Sequence, residues 1–299
     1  MKILLLGKNG QLGWELQRSL APLGELVALD RTGEPQRGLC GDLAQPQALA
    51  ATVLQLKPDL IVNAAAHTAV DRAESEPDLA HTLNALAPGA LAQAAQACAA
   101  LLVHYSTDYV FDGSGTAPWH EHAATGPLNV YGRSKLEGER LIAASGARHL
   151  IFRTSWVYAA RGGNFAKTMW QLARERERLT VIDDQVGAPT GADLIADVSA
   201  HAIRQTLRQP QAGGIYHLAA AGETSWHGYA RWVIDSARAL HPEQPLAVQE
   251  LAPVPSSAFP TPARRPLNSR LDTSRLRQTF DLNLPEWQHG VRRMLIEMV

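Results

Sequence analysis

The stretch that most restricts this chain is its opening, "KILLLGKNGQLG", where an apolar run over residues 2–7 ends on Gly7 and is followed by Gly10 and Gly13. The run reads as a buried strand, and residues 11–20 read as the helix behind it. Glycines at such a join permit a tight turn, close backbone approach to a pyrophosphate and close packing of helix on sheet. The helix N-terminus then offers amide donors. A Gly-rich turn alone is weak evidence, but between a strand and a helix it has the context a dinucleotide site needs. The spacing here is G-x-x-G-x-x-G rather than the commoner G-x-G-x-x-G.

The pattern then repeats. Residues 25–30, 59–66, 101–107 and 149–155 read as further strands, separated by helices over 47–56, over the Ala-rich stretch 77–100 with a kink at Pro88, and from about Tyr131. Strands apolar on both faces and separated by helices call for a parallel sheet covered on both sides. The expected fold class is therefore α/β, a doubly wound Rossmann-type sheet with a smaller C-terminal domain. Beyond Ser155 the alternation loosens into helices at 164–178, 193–207 and 226–240, a strand at 214–220, a proline-dense stretch over 252–270 and two short closing helices. Residues 1–155 are expected to form the nucleotide-binding domain, with a segment near 180–220 returning to it, and 156–299 mostly the substrate-binding domain.

Bulk properties exclude several classes. A net charge of −1 favours neither nucleic acid nor an anionic membrane, and no apolar run reaches the length of a membrane span. The first apolar run stops too early for a signal peptide, and Cys40 and Cys98 have no metal-ligand spacing. The expectation is a cytoplasmic protein with reduced thiols.

At the cofactor end, Asp30 closes the second strand, where a carboxylate can accept from ribose hydroxyls and repel a 2′-phosphate. Arg31 follows, and a guanidinium can pair with that phosphate. The opposed charges predict use of both NADH and NADPH. Asp42 in "CGDL" is in place either to reach the adenine amino group or to start a helix.

At the other end, "NVYGRSKLEGER" has the charge pattern of an exposed helix start and places Tyr131 and Lys135 four residues apart on one face. A cation beside a phenol favours the phenolate, which would bring the phenol's pKa down toward neutral pH. The preceding strand ends in "YSTDYVFDG", so Ser106, Thr107 and Asp108 project where ligands bind in such sheets. The cluster His120, Glu121, His122 resembles a metal pair but has no third ligand.

Taken together, "GKNGQLG", "NAAAHTAVD", "STDYVFDG", "NVYGRSK" and "RTSWVY" resemble the extended short-chain dehydrogenase/reductase family, and within it the dTDP-4-dehydrorhamnose reductases. The similarity runs on through "DDQVGAPTGADL" and "PTPARRPLNSRLDTSRL" and so covers nearly the whole chain. Single motifs are shared across the superfamily; the full series is far more specific. The resemblance implies hydride transfer from NADPH or NADH to the 4-keto carbon of dTDP-4-dehydro-L-rhamnose, giving dTDP-L-rhamnose for cell-surface polysaccharide. It implies Tyr131 as proton donor, Lys135 as the group that lowers its pKa and bonds the nicotinamide ribose, and Thr107 as the third catalytic hydroxyl. Asp108 and Trp156 would hold the sugar, and Arg264, Arg265 or Arg270 the diphosphate, with nothing in the sequence to choose among the three. Gly7, Gly10, Gln11, Leu12, Gly13, Asp30, Arg31, Asp42, Leu43, Ala66, His67, Thr68 and Tyr105 would line the cofactor with Tyr131 and Lys135. Some family members hold Mg²⁺ near a dimer contact, for which Glu15 and Asp193 are the counterparts, so Mg²⁺ and a homodimer are both open. A regulatory subunit of the methionine adenosyltransferase β type, and an epimerase or other sugar-nucleotide enzyme, stand as alternatives on the same scaffold.

Overall fold

The computed structural model describes residues 1–298. Its centre is a six-stranded parallel sheet. Strands β1 (Lys2–Leu6), β2 (Glu25–Leu29), β3 (Leu60–Asn63), β4 (Leu101–Thr107) and β5 (His149–Thr154) come from the first half of the chain, and Gly214–His217 adds the sixth strand beside β5. Across the sheet the order is sixth strand, β5, β4, β3, β1, β2. The chain leaves β1 in one direction for β2 and returns on its other side as β3, so a crevice opens at the carboxyl ends of β1 and β3.

Alternation along the strands sends side chains to two separate cores. Ile3, Leu5 and Val62 pack with Leu16 and Leu20 of helix α1 (Gln11–Leu20) and with Ile195 and Ile203 of the helix Ala192–Arg208. Leu4, Leu6 and Ile61 face the opposite side, against Leu49 and Val53 of helix α2 (Pro46–Leu56) and Leu91 of the helix Ala87–Ala97. Each such aliphatic side chain contributes roughly 1.5–3 kcal/mol on full burial, and this explains why these strands tolerate so few polar residues. A third core joins Trp170, Tyr229, Val233, Trp287 and Val291, all after Thr154, into a lobe beside the carboxyl edge of the sheet.

The Ala-rich region is one continuous helical run from Pro77 to Ala97, widened by a π-helical turn at Thr82–Leu86 and preceded by a separate short helix, Val70–Ser75. The π turn ends one residue short of Pro88, whose missing N–H would otherwise break the i to i−4 ladder. Two five-residue strands were not read from sequence: Arg178–Ile182, which begins where a helix was expected to end, pairs in parallel with Glu250–Val254 from the edge of the proline-dense stretch. Pro253 sits in that second strand, in a sheet of only two strands, as its lack of an N–H requires.

Candidate active site

The turn after β1 is built by close backbone contacts. Gly7 has φ +87°, and a Cβ there would lie 2.8 Å from the Ala65 backbone nitrogen. A Cβ on Gly13 would lie 2.0 Å from the Gly7 carbonyl oxygen, so only glycine lets α1 start this near the strand. Gly10 donates its N–H to the Gly7 carbonyl at 3.0 Å. No side chain caps α1, and its first turn has no acidic residue, so its amides keep their attraction for an anion. Gln11 Oε1 and His67 Nδ1 are buried without protein partners at this crevice. A glycine cradle and bare helix amides are the donors that a dinucleotide pyrophosphate needs, and Gln11 Oε1 adds an acceptor beside them.

The other residues expected around a cofactor divide by location. Asp30 accepts from Asn9 Nδ2 at 2.9 Å and from the Thr32 hydroxyl and N–H at 2.6 and 3.0 Å. These bonds, the Thr32 hydroxyl first, hold it below the ordinary carboxylate range. Lys8, unremarked in the sequence, reaches Asp30 at 3.8 Å, while Arg31 is exposed beside it. Asp42 accepts from the Ala44 N–H at 3.0 Å and shapes the approach to α2. Leu43 belongs to the core on the α2 face of the sheet, and Leu12 packs against the other core, on the α1 face. Ala66 and Thr68 follow β3 on the rim, and His67 is tied to Asn84 Oδ1 through its N–H at 2.8 Å and to Glu76 at 3.3 Å. Tyr105 turns its ring away from the crevice: it stacks on Phe152, and its hydroxyl donates to Ser199 Oγ at 2.8 Å. What it offers the site is its carbonyl oxygen.

That carbonyl accepts from Lys135 Nζ at 2.5 Å. The helix Val130–Ala144 is capped by Asn129, whose Oδ1 accepts the Gly132 N–H at 2.8 Å while its Nδ2 donates to the Arg264 carbonyl at 2.7 Å. The expectation of an exposed helix fails here. Lys135 and Glu139 are 1% and 2% exposed, because this helix face packs directly on the sheet. Arg153 of β5 pairs with Glu139 through two bonds of 2.9 and 2.6 Å, and Ser106 Oγ donates to Glu139 at 2.5 Å. This buried trio was invisible in sequence, where "KLEGER" looks like a solvated charge run.

Tyr131 stands half-buried beside Tyr109, ring centroids 5.7 Å apart. Burial pushes its phenol up to about 12, with the Thr107 hydroxyl pulling the other way and the Asp108 charge adding to the rise. Lys135 does not set that value, contrary to the sequence argument, so the phenol keeps its proton at neutral pH. Thr107 Oγ1 donates to Asp108 at 2.9 Å and accepts the Tyr109 N–H at 3.1 Å. Asp108 is 2% exposed, and burial raises its carboxyl to about 6.

Next to this group lies a cavity of about 890 Å³, lined among others by Tyr109, Phe165, Gln185, Trp226, Arg264 and Arg265. Its size suits a large ligand. Arg265 is fixed by Asp71 at 2.7 Å, Arg264 is exposed at the rim, and Arg270 instead pairs with Glu223 at 2.7 Å, away from the lining. Trp156 takes φ +50° and stacks on Trp226 at 3.6 Å. One Trp156 face is therefore covered, and the ring on the cavity wall is Trp226, whose Nε1 donates to Gln185 at 3.1 Å. Trp226, Phe165 and Gln185 come from the lobe and were not singled out from sequence; Trp226 follows the cap Ser225, Phe165 the cap Asn164, and Gln185 sits in the "DDQVGAPTGADL" stretch.

The "WHEH" residues serve the fold. Glu121 accepts the His217 N–H at 3.0 Å, and Trp119 stacks on Phe111 at 4.7 Å. Among the described residues no group of three or more His, Cys, Asp or Glu is placed to hold a metal ion. Glu15 and Asp193 line one small cavity with Glu297, but Arg293 already pairs with Asp193 at 3.6 Å and Glu297 at 2.9 Å. With this arginine between the carboxylates, the group does not fit Mg²⁺. No helix among the described residues is long and apolar enough to cross a membrane.

Comparison with known proteins places this geometry in a family. The family model described as RmlD substrate binding domain matches residues 1–299. The chain is 59% identical to the dTDP-4-dehydrorhamnose reductase of Salmonella typhimurium over 298 residues, covering 100% of this chain and 98% of that one. It is 57% identical to that of Escherichia coli K12 at the same coverage. The crystal structure of the dTDP-4-dehydrorhamnose reductase of Bacillus anthracis in complex with NADP superposes with a TM-score of 0.86 at 33% identity, over 99% of each chain. The UDP-glucose 4-epimerase of Thermus thermophilus, at 19% identity and a TM-score of 0.76 over 100% of each chain, shares the fold. From its opening glycine turn to its last helix, this chain belongs to the dTDP-4-dehydrorhamnose reductase family.

Proposed function

We propose that the protein reduces the 4-keto group of dTDP-4-dehydro-L-rhamnose to give dTDP-L-rhamnose, using NADPH or NADH. The observation that carries the reading is the position of Tyr131 and Thr107. Thr107 ends β4 and bonds the Tyr131 hydroxyl, and Tyr131 packs on Tyr109, which lines the cavity with Arg265. The bound nicotinamide supplies the hydride.

The chain's own residues do the rest. Gly7, Gly10 and Gly13 let the backbone approach the pyrophosphate, and the amides at Gln11 and Leu12 meet it. Asp30 and the neighbouring Lys8 and Arg31 face the adenosine ribose, so both cofactors find a partner there. Leu43, Ala66, His67 and Thr68 line the remaining cofactor wall, and Asp42 is close enough in sequence to join them.

The sugar's O4 lies between the Thr107 and Tyr131 hydroxyls. As hydride reaches C4, the carbonyl electron pair moves onto O4 and the Tyr131 O–H bond breaks, its proton passing to O4. A phenol that is protonated at neutral pH is in the right state to deliver it. Lys135 supports the phenolate left behind, a charge that exists only after transfer, so its value is electrostatic and late. Buried Asp108 positions Thr107. Trp226, with Trp156 behind it, offers an aromatic wall to the deoxyhexose or base. Arg265, preset by Asp71, is the better diphosphate ligand than exposed Arg264, and Arg270 is committed elsewhere.

In this reading the sheet body holds the cofactor, with Ala192–Arg208 and Gly214–His217 belonging to it, and the lobe after Thr154 holds the sugar nucleotide. A cytoplasmic location and self-association as a homodimer fit a biosynthetic enzyme of this kind. The direct test is nicotinamide absorbance on adding dTDP-4-dehydro-L-rhamnose. Stoichiometric oxidation with dTDP-rhamnose as product is expected. Cofactor binding without oxidation would move the reading to a regulatory subunit or another sugar nucleotide.

A further inference from the structure

The short helix Val70–Ser75 follows the cofactor wall in sequence, and its acidic side chains bond to groups of the site on two other segments. Asp71 and Glu74 are three residues apart and so share a helix face. Asp71 accepts the Ala263 N–H at 3.1 Å and Arg265 Nη2 at 2.7 Å. Glu74 Oε1 accepts the N–H of Val130, the residue before Tyr131, at 2.7 Å. These bonds form a closed circuit, because Asn129 sends its Nδ2 to the carbonyl of Arg264, whose two neighbours return to Asp71. Asn129 and Ala263 are 1% and 0% exposed, so water is a poor substitute for the bonds at these joints.

The place of Tyr131 in its helix makes the Glu74 bond matter. The first amides of a helix have no carbonyl partner within it. Here the Val130 N–H goes to Glu74 and the Gly132 N–H to Asn129, so the amides on both sides of Tyr131 are anchored. The Asn129 cap belongs to the same segment and moves with it, whereas Glu74 ties the helix start to a separate element. The first turn of the catalytic helix has no acidic residue of its own, so Glu74 also supplies from outside the charge that the helix dipole favours there. The phenol hydroxyl lies at the far end of a long side chain. A small rotation of the helix start therefore displaces it further than the backbone, and a misplacement of about 1 Å can cost on the order of 10²-fold in rate.

We propose that Glu74 is a positioning residue for Tyr131: its bond to the Val130 amide fixes the start of the catalytic helix, and with Asp71 on the same face it holds the proton donor and Arg265 in a set relation. Glu74 itself touches neither substrate nor cofactor in this scheme. The division of labour is specific. Asp71 serves the arm that carries Arg265, and Glu74 serves the donor. Loss of Glu74 should therefore affect the chemical step more than binding. The inference rests on the reading of Tyr131 as proton donor.

The test compares E74A, E74D and E74Q with the wild-type chain, using NADPH and dTDP-4-dehydro-L-rhamnose. E74A should lower kcat by about 10- to 100-fold, with KM for the keto sugar and Kd for NADPH within about twofold of wild type. The solvent deuterium isotope effect on kcat should rise, because proton delivery becomes slower than the other steps. E74D keeps the charge but draws the oxygen back by one methylene, and should resemble E74A. E74Q keeps an acceptor at full reach and should recover most of the rate. A general loosening of the fold would instead raise KM and Kd together with the fall in kcat and leave the isotope effect unchanged. That pattern, or E74D turning over like wild type, overturns the proposal. Amide hydrogen exchange at Val130 and Tyr131, followed by NMR, gives a readout that needs no turnover. It should quicken by about 5- to 30-fold in E74A and stay near wild type in E74Q; equal exchange in E74A and wild type also overturns the proposal. If the wild type reduces no keto sugar while the exchange difference is seen, the reductase reading fails and the anchoring of the helix start by Glu74 stands.

Discussion

Replacing Glu139 by Gln should unsettle the whole sheet body, and the size of the effect follows from its surroundings. The side chains of Arg153 and Glu139 are 4% and 2% exposed, and the guanidinium makes both of its short carboxylate bonds to this one residue. Gln keeps the shape and one acceptor oxygen but removes the charge. Arg153 is then left as a buried cation with one carbonyl of Glu121 at 3.3 Å and the Phe111 ring 5.1 Å away. Breaking a buried pair from one side costs about 3–5 kcal/mol. An unfolding entropy of about 2.1 cal/mol/K per residue, over 299 residues, makes that a fall in Tm of roughly 5–8 °C. The double variant E139L/R153M removes both charges and should recover at least half of the loss, since neither partner is stranded. Calorimetry or circular-dichroism melts of the three proteins decide the matter. A single variant melting within about 1 °C of wild type would mean that water reaches the pair, and the argument from burial would collapse.

Other outcomes follow from the same geometry. Tyr131→Phe should lower kcat by about 10²–10⁴-fold with NADPH affinity unchanged by fluorescence titration; turnover near wild type would remove Tyr131 as donor. Gly13→Ala brings a methyl to 2.0 Å from the Gly7 carbonyl, and should weaken cofactor binding at least tenfold, against an unchanged affinity if α1 can shift freely. Asp30→Ala should raise the NADPH-to-NADH ratio of kcat/KM, and a constant ratio would show that Asp30 does not read the ribose. For Asp108, a folded value of about 6 against an ordinary 3.8 means the native state holds its proton more tightly than the unfolded chain. Stability should therefore fall as pH rises from about 4 to 6, by up to about 3 kcal/mol, and Asp108→Asn should flatten that fall in denaturant titrations; an equal fall in the variant assigns it to another group.

The sheet was legible because its strands are short apolar runs whose two faces meet two cores; "KILLL" and "LLVHYST" match β1 and β4 to the residue apart from the closing Gly7. The glycine turn was legible because its steric demand is local. Long-range pairing was not. Arg178–Ile182 carries arginine and threonine on one face and finds its partner about seventy residues later, beside prolines that argue against a strand. Burial of charge was also hidden. Nothing within "SKLEGER" distinguishes Lys135 and Glu139 from solvated residues, because the groups that enclose them lie on β4 and β5. The direction of Tyr105 depends on strand parity, and its motif position alone placed it with the cofactor.

The path of the chain limits how such an enzyme can be recombined. The sixth strand lies against β5, yet Trp156, Phe165 and Trp170 of the lobe come between them in sequence. Tyr105, in the middle of β4, hands its carbonyl to Lys135 and its hydroxyl to Ser199 in the helix Ala192–Arg208. A chimera joined once, after β5, would import a foreign edge strand and a foreign hydroxyl partner along with the new lobe. Exchange of the lobe alone needs paired breakpoints that leave Ala192–His217 with its native sheet. Lineages swapping sugar specificity by recombination should carry that signature, and libraries built with a single junction should yield mostly insoluble protein.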